Sequence, residues 1–143
     1  MNTRAVRSLL LAVCTWQVAG CAETFEVSYS TFAEAQSKGA VVAGWVPAWL
    51  PRATTGIREV HNLDTNRFML AFLVPKGTQL SLPAGCAQVS PRTPKEPPFK
   101  RSWWPGDVPA DGLSTHRHAF FACDGYFVAH AASLGEGYVW SSE

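Results

Sequence analysis

Between Arg67 and Val74, the apolar residues Phe68, Leu70, Phe72 and Val74 occupy every second position. That period is the mark of a β-strand with one face toward a core. Ile57 to Leu63 precedes it across Asp64-Thr65-Asn66, and the two runs read as an antiparallel hairpin. A second hairpin is predicted from His116–Cys123 and Tyr126–Ala132 around Asp124-Gly125. A type I′ turn there needs positive φ at both turn residues and sets Ala119 opposite His130. Gly135-Glu136-Gly137 reads as one more turn, followed by a last strand over Tyr138-Val139-Trp140. Helical signals are confined to Phe32–Lys38, where Thr31 and Glu34 form a capping box and Gly39 is the stop. Residues 22 to 29 read as a short tether or an edge strand. The expectation is a single α+β domain with an antiparallel sheet of about five strands, one short helix and a long proline-rich loop.

The amino-terminal segment has a different character. Arg4 and Arg7 precede the apolar run Ser8–Val13, and small residues then lead into a cysteine. Val18-Ala19-Gly20-Cys21 resembles the lipobox of bacterial lipoproteins. The resemblance implies a diacylglyceryl group on the Cys21 thiol and removal of residues 1–20 as a signal peptide. It leaves 21–29 as the tether and 30–143 as the domain. Cys14 does not fit the motif because Val13 stands directly before it. The apolar run is too short for a membrane-spanning helix, which takes about 20 residues. Among enterobacterial lipoproteins an Asp after the lipidated cysteine favours the inner membrane; Ala22 stands there, so the resemblance favours the periplasmic face of the outer membrane. The alternative is an ordinary cleaved signal with an incidental cysteine.

Composition narrows the rest. A formal net charge of +1, with no cluster of Lys and Arg, carries no nucleic-acid footprint. With 47% hydrophobic and 12% aromatic residues the chain can build a core. Once Cys14 and Cys21 are accounted for, Cys86 and Cys123 remain, an even pair suited to a structural disulfide in an exported domain. It would close a loop of roughly 38 residues and contribute about 4 kcal/mol on the chain-entropy model. Pro91, Pro94, Pro97, Pro98, Pro105 and Pro109 punctuate that loop and leave little room for a long element. A reactive thiol pair would want a Cys-x-x-Cys spacing or basic neighbours, and neither cysteine has them.

Gly44-Trp45-Val46-Pro47, Leu50-Pro51 and Ile57-Arg58-Glu59-Val60-His61-Asn62-Leu63-Asp64-Thr65-Asn66 together resemble a pattern shared by small uncharacterised bacterial envelope proteins. Cys123 and Tyr138-Val139-Trp140 continue the likeness more weakly. That family has no assigned activity, so the resemblance implies domain limits and no mechanism.

Three groups of residues are candidates for function. Glu59 and His61 share one face of a predicted strand, beside Asp64 and Asn66 in the turn. A carboxylate next to an imidazole suits acid–base chemistry. The favoured use is hairpin structure, with Asp64 and Asn66 capping the turn and Glu59 and His61 as a solvated or locally paired edge. His116 and His118 would share a strand face and could hold a metal if His61 joined them, but His-x-His alone is weak and His130 falls on the opposite face. No metal and no cofactor is expected. Trp45, Trp49, Trp103 and Trp104 lie in proline-rich loops, the last two beside Lys100-Arg101, and offer a binding surface. The same rings serve to lock loops onto the sheet, which is the favoured use. The leading reading is a lipid-anchored, non-enzymatic binding or accessory module that meets the membrane and an envelope protein partner. A small metal-dependent or acid–base hydrolase using Glu59, His61, His116 and His118, and an inhibitor or immunity-type protein, are the rivals.

Overall fold

Strand β3 (Phe68–Leu73) is apolar at all six of its positions, which suits a strand covered on both faces better than one covered on a single face. The computed structural model, which describes residues 23–106, 108 and 117–143, has that two-sided burial at the centre of the sheet. Cys21 and His116 lie outside the described residues. The other elements are β1 (Thr24–Thr31), α1 (Phe32–Ser37), β2 (Thr55–Asn62), β4 (Ala87–Val89), β5 (Ala119–Cys123), β6 (Tyr126–Ala131) and β7 (Glu136–Ser141). They form one seven-stranded antiparallel sheet in the order β1-β2-β3-β7-β6-β5-β4.

The protein is therefore mostly β, and the expected five-stranded α+β arrangement is wrong. Two strands account for the difference. Residues 22–29, open between a tether and an edge strand and left out of the five, supply the edge strand: β1 pairs with β2 along nearly its whole length. Strand β4 is only three residues long and lies where prolines leave no periodic window. Helix α1 spans six residues, too few to be stable without tertiary support. Its start follows the capping box closely. Thr31 accepts from the Glu34 amide at 3.1 Å, while Glu34 accepts from the Ser30 amide at 2.7 Å. Gly39, at φ 82°, ends it.

Each sheet face has its own cover. On the first, Ile57, Leu70, Phe72, Val128 and Val139 are buried beneath Phe32, Ala35, Ala40, Val46 and Leu50 from α1 and the loop after it. On the second, Val60, Met69, Phe127, Ala129 and Trp140 are buried beneath Phe99, Trp103, Trp104 and Val108 of the proline-rich loop. That loop has no ladder to hold it, so side chains hold it. Trp140 donates its indole N–H to the Lys95 carbonyl at 2.8 Å. Glu26 on β1 accepts from Trp103 Nε1 and from Arg101 Nε, both at 2.7 Å. These two bonds, the Trp103 bond first, hold the Glu26 carboxyl below the usual carboxylate range.

Other details revise the expectations. The β5–β6 register sets Ala119 opposite His130 as expected, but only Gly125 in the turn has positive φ, so the turn is not type I′. The β2–β3 turn is capped by Asn62, whose Oδ1 accepts from the Thr65 amide at 2.9 Å, and not by Asp64 or Asn66 through their side chains. Asn66 instead supplies the left-handed residue, at φ 53°. Gly135-Glu136-Gly137 is not a turn: Glu136 and Gly137 begin β7.

Cys86 and Cys123 form the disulfide, joining the chain before β4 to the last residue of β5. Replacing both by Ser should lower unfolding free energy by about 4 kcal/mol in urea titration. Gly137 lies under the ring of Phe72, where an added Cβ would come within 2.1 Å of Cζ. Gly137→Ala should therefore destabilise by about 1–3 kcal/mol, and Phe72→Leu in the same chain should recover part of that loss in thermal melts.

Candidate functional site

Period-two alternation along β2 sends Ile57, Glu59 and His61 to the first face. β2 is not an edge strand, since β1 and β3 flank it, and this decides the fate of the carboxyl. Glu59 is paired with Val27 on one side and Leu70 on the other and is wholly buried. It is not part of a solvated edge. Its Oε1 is hydrogen-bonded to Nδ1 of His61, while Oε2 has no hydrogen-bond partner among the described residues.

The His61 ring is held on both sides. Trp45 stacks on it at 4.2 Å between centroids and 9° between planes. Phe25 stacks on the other side at 5.5 Å and 24°. Trp45 reaches this position because the loop after α1 turns back on itself. Gly44 adopts φ 84°, and the amides of Trp45 and Val46 both donate to the Ala40 carbonyl. Buried Val46 then anchors the loop beside it.

Burial raises the Glu59 carboxyl to about 8 and lowers His61 below its ordinary value. Near neutral pH the pair holds one proton between two neutral groups, the carboxylic acid donating to the imidazole. The charge-separated form would bury two ions in an apolar layer, with no further bond for Oε2. A carboxyl kept protonated near neutrality is the form a general acid needs. Here the acid is sealed, and the arrangement serves to fix the ring that carries Trp45 and Phe25.

The other candidates are dispersed. Trp45 and Trp49 belong to the cover of the first face, and Trp103 and Trp104 to that of the second, so the four do not form one surface. His118 packs edge-on to Tyr138 at 5.6 Å on the second face, away from His61. Among the described residues no group of three or more His, Cys, Asp or Glu side chains is placed to hold a metal. Of the Lys100-Arg101 pair, Arg101 is engaged by Glu26. Lys100 is exposed at the rim of a cavity of about 350 Å³ whose lining includes Pro97, Phe99, Trp104, Pro105 and Val108. Two residues of these clusters escape the sequence reading. Phe25 lies in the segment left between tether and edge strand, although Phe25, Val27 and Tyr29 alternate with Glu26, Ser28 and Ser30. Glu26 carries no local signal for its partners 75 and 77 residues away.

Fold and site together define an antiparallel β-sheet protein with a buried acid–imidazole pair beneath an aromatic stack. Residues 23–73 match the family of the YbbD head domain. The match spans about a third of the chain and takes in β1, α1, β2 and β3, hence every residue of the stack. A search of the curated proteins and one of the solved structures found no match.

The protonated Glu59 has a measurable consequence. Its carboxyl binds a proton more tightly folded than unfolded, so its contribution is full below pH 4.5 and is lost as pH rises through about 8. His61 has the opposite sign, but its effect ends near its ordinary value of 6.5. From pH 6.5 to 8, stability should therefore fall by up to about 1.4 kcal/mol per pH unit. Urea titrations across that range should show the decline in the native chain and its absence in Glu59→Gln.

Proposed function

We propose that the chain is a lipid-anchored, non-enzymatic accessory protein of the bacterial cell envelope. In this reading Cys21 holds it at the periplasmic face of the outer membrane, and an envelope protein binds at the cavity that the proline-rich loop lines. Anchoring is supported by the lipobox resemblance at Val18-Ala19-Gly20-Cys21. The YbbD head domain match over residues 23–73 is compatible with an envelope accessory role.

The single observation that carries the binding part is the cavity itself. Its described lining joins the apolar side chains Phe99, Trp104 and Val108 to the charged Glu96, Lys100 and Arg101. Binding sites are concave, mostly apolar and oriented by a few polar groups, and this one has both parts. Trp103 is less suited to direct recognition, because its indole N–H is committed to Glu26. Trp104 contributes a ring wall while its N–H bonds the Val108 carbonyl. The partner surface that fits is apolar with a margin of mixed charge, an acid to meet Lys100 and a base to meet Glu96.

Crosslinking in intact cells, followed by mass spectrometry, tests this. Lys100→Glu and Gly106→Glu alter the rim alone; Gly106 is exposed, and a Cβ there meets nothing within 4 Å. One abundant envelope partner should be captured by the native chain and reduced roughly tenfold by the double variant, the scale of losing one charge-assisted contact. Equal capture by both would place the binding surface elsewhere.

A further inference from the structure

At the end of the sheet where β1 begins and β2 turns into β3, two large apolar side chains stand in solvent. Phe25 is 46% exposed and Leu63 is 51% exposed. Single exposed apolar residues are ordinary. Phe25 and the half-buried Trp45 flank the same His61 ring, and Leu63 follows His61 by two residues at this same end of the sheet. The clasp is costly to build, needing a buried carboxyl to orient the imidazole, yet it leaves its outermost ring wet.

What lies next to this end is set by chain length. The Leu63 amide donates to the Glu23 carbonyl at 3.0 Å. Cys21 is two residues before Glu23, and two residues of extended chain reach at most about 7 Å. The headgroup zone on each side of a bilayer is itself about 5–8 Å deep. A domain whose sheet starts this close to its lipid has no free linker and must touch the membrane with this end.

We propose that Phe25, Leu63 and Trp45 form a bilayer-contact surface that sets the domain in the headgroup layer beside the acyl chains on Cys21. The inference rests on the anchoring reading above and adds the orientation. Aromatic rings with an apolar body favour the membrane–water boundary, and Trp most of all. Two acids, Glu23 and Asp64, share this end, and the proximity of Asp64 raises the Glu23 carboxyl above its ordinary value. Arg67, in the same turn region, is exposed. The opposite end supplies an internal control. Leu73 and Leu134 are 48% and 38% exposed there, on strand and turn residues far from the lipidation site.

Photocrosslinking of the full-length lipidated protein in vesicles of phosphatidylethanolamine and phosphatidylglycerol tests the surface. Benzoylphenylalanine replaces Phe25, Leu63, Leu73 or Leu134, one position at a time. Mass spectrometry of the digested product counts lipid adducts and reads the mass of the Cys21 peptide in the same sample. The expected result is a diacylglyceryl group on Cys21 and roughly tenfold more adduct at Phe25 and Leu63 than at Leu73 and Leu134. An acylated Cys21 with equal adduct at the four sites overturns the contact surface and leaves the anchor standing. An unmodified Cys21 peptide removes the anchor, and the contact surface with it.

Discussion

Burial of both faces of one sheet is the constraint from which the rest of the structure follows. A sheet covered on one side can leave alternate positions polar; this one cannot, and β3 shows it in an unbroken apolar run. Two covers are then required, with one six-residue helix among the described residues to supply them. The first joins α1 to the loop after it and the second is loop alone, and loop can be held only by specific bonds. On the second face these are the Trp140–Lys95 bond and the two bonds to Glu26. On the first they are the turn at Gly44 and the insertion of Val46 and Leu50. The tryptophans of the proline-rich loop are thus fastenings first, and their availability to a partner is what remains after fastening.

The same constraint explains the buried glutamate. Position 59 faces the first layer between Val27 and Leu70, where an apolar residue would add area without cost. The carboxyl is tolerated because it stays protonated and is bonded to His61. In return it fixes an imidazole that would otherwise rotate, and that imidazole carries two aromatic rings to the sheet end. The pair thus joins a buried carboxyl to a ring flanked by Trp45 and by the exposed Phe25.

How much of this could be read from the sequence depended on the range of the interaction. The Phe68–Val74 strand, the capping box at Thr31 and Glu34, and the Asp124-Gly125 hairpin register are local, and all were legible. β1 was half legible, in the alternation of Phe25, Val27 and Tyr29, which left an edge strand open beside a tether. β4 was not, because three residues show no period and its pairing with β5 is long-range. At the site, Glu59 and His61 could be placed on one face from spacing alone. Their burial could not, because it follows from β1 covering one flank of β2. Nor could the division of the tryptophans between the two faces, which depends on which cover each loop becomes.

Strand β7 is the latest of the seven in chain order, yet it occupies the middle of the sheet, between β3 and β6. Until residues 136–141 are available, the chain can form at most two three-stranded halves, β1-β2-β3 and β6-β5-β4. Each half would expose a raw edge to the other half or to a neighbouring molecule. Were the chain exported amino end first, as in the proposal above, the sheet would stay open down the centre until its last strand arrived, and a holding chaperone in the receiving compartment would find its substrate in that interval.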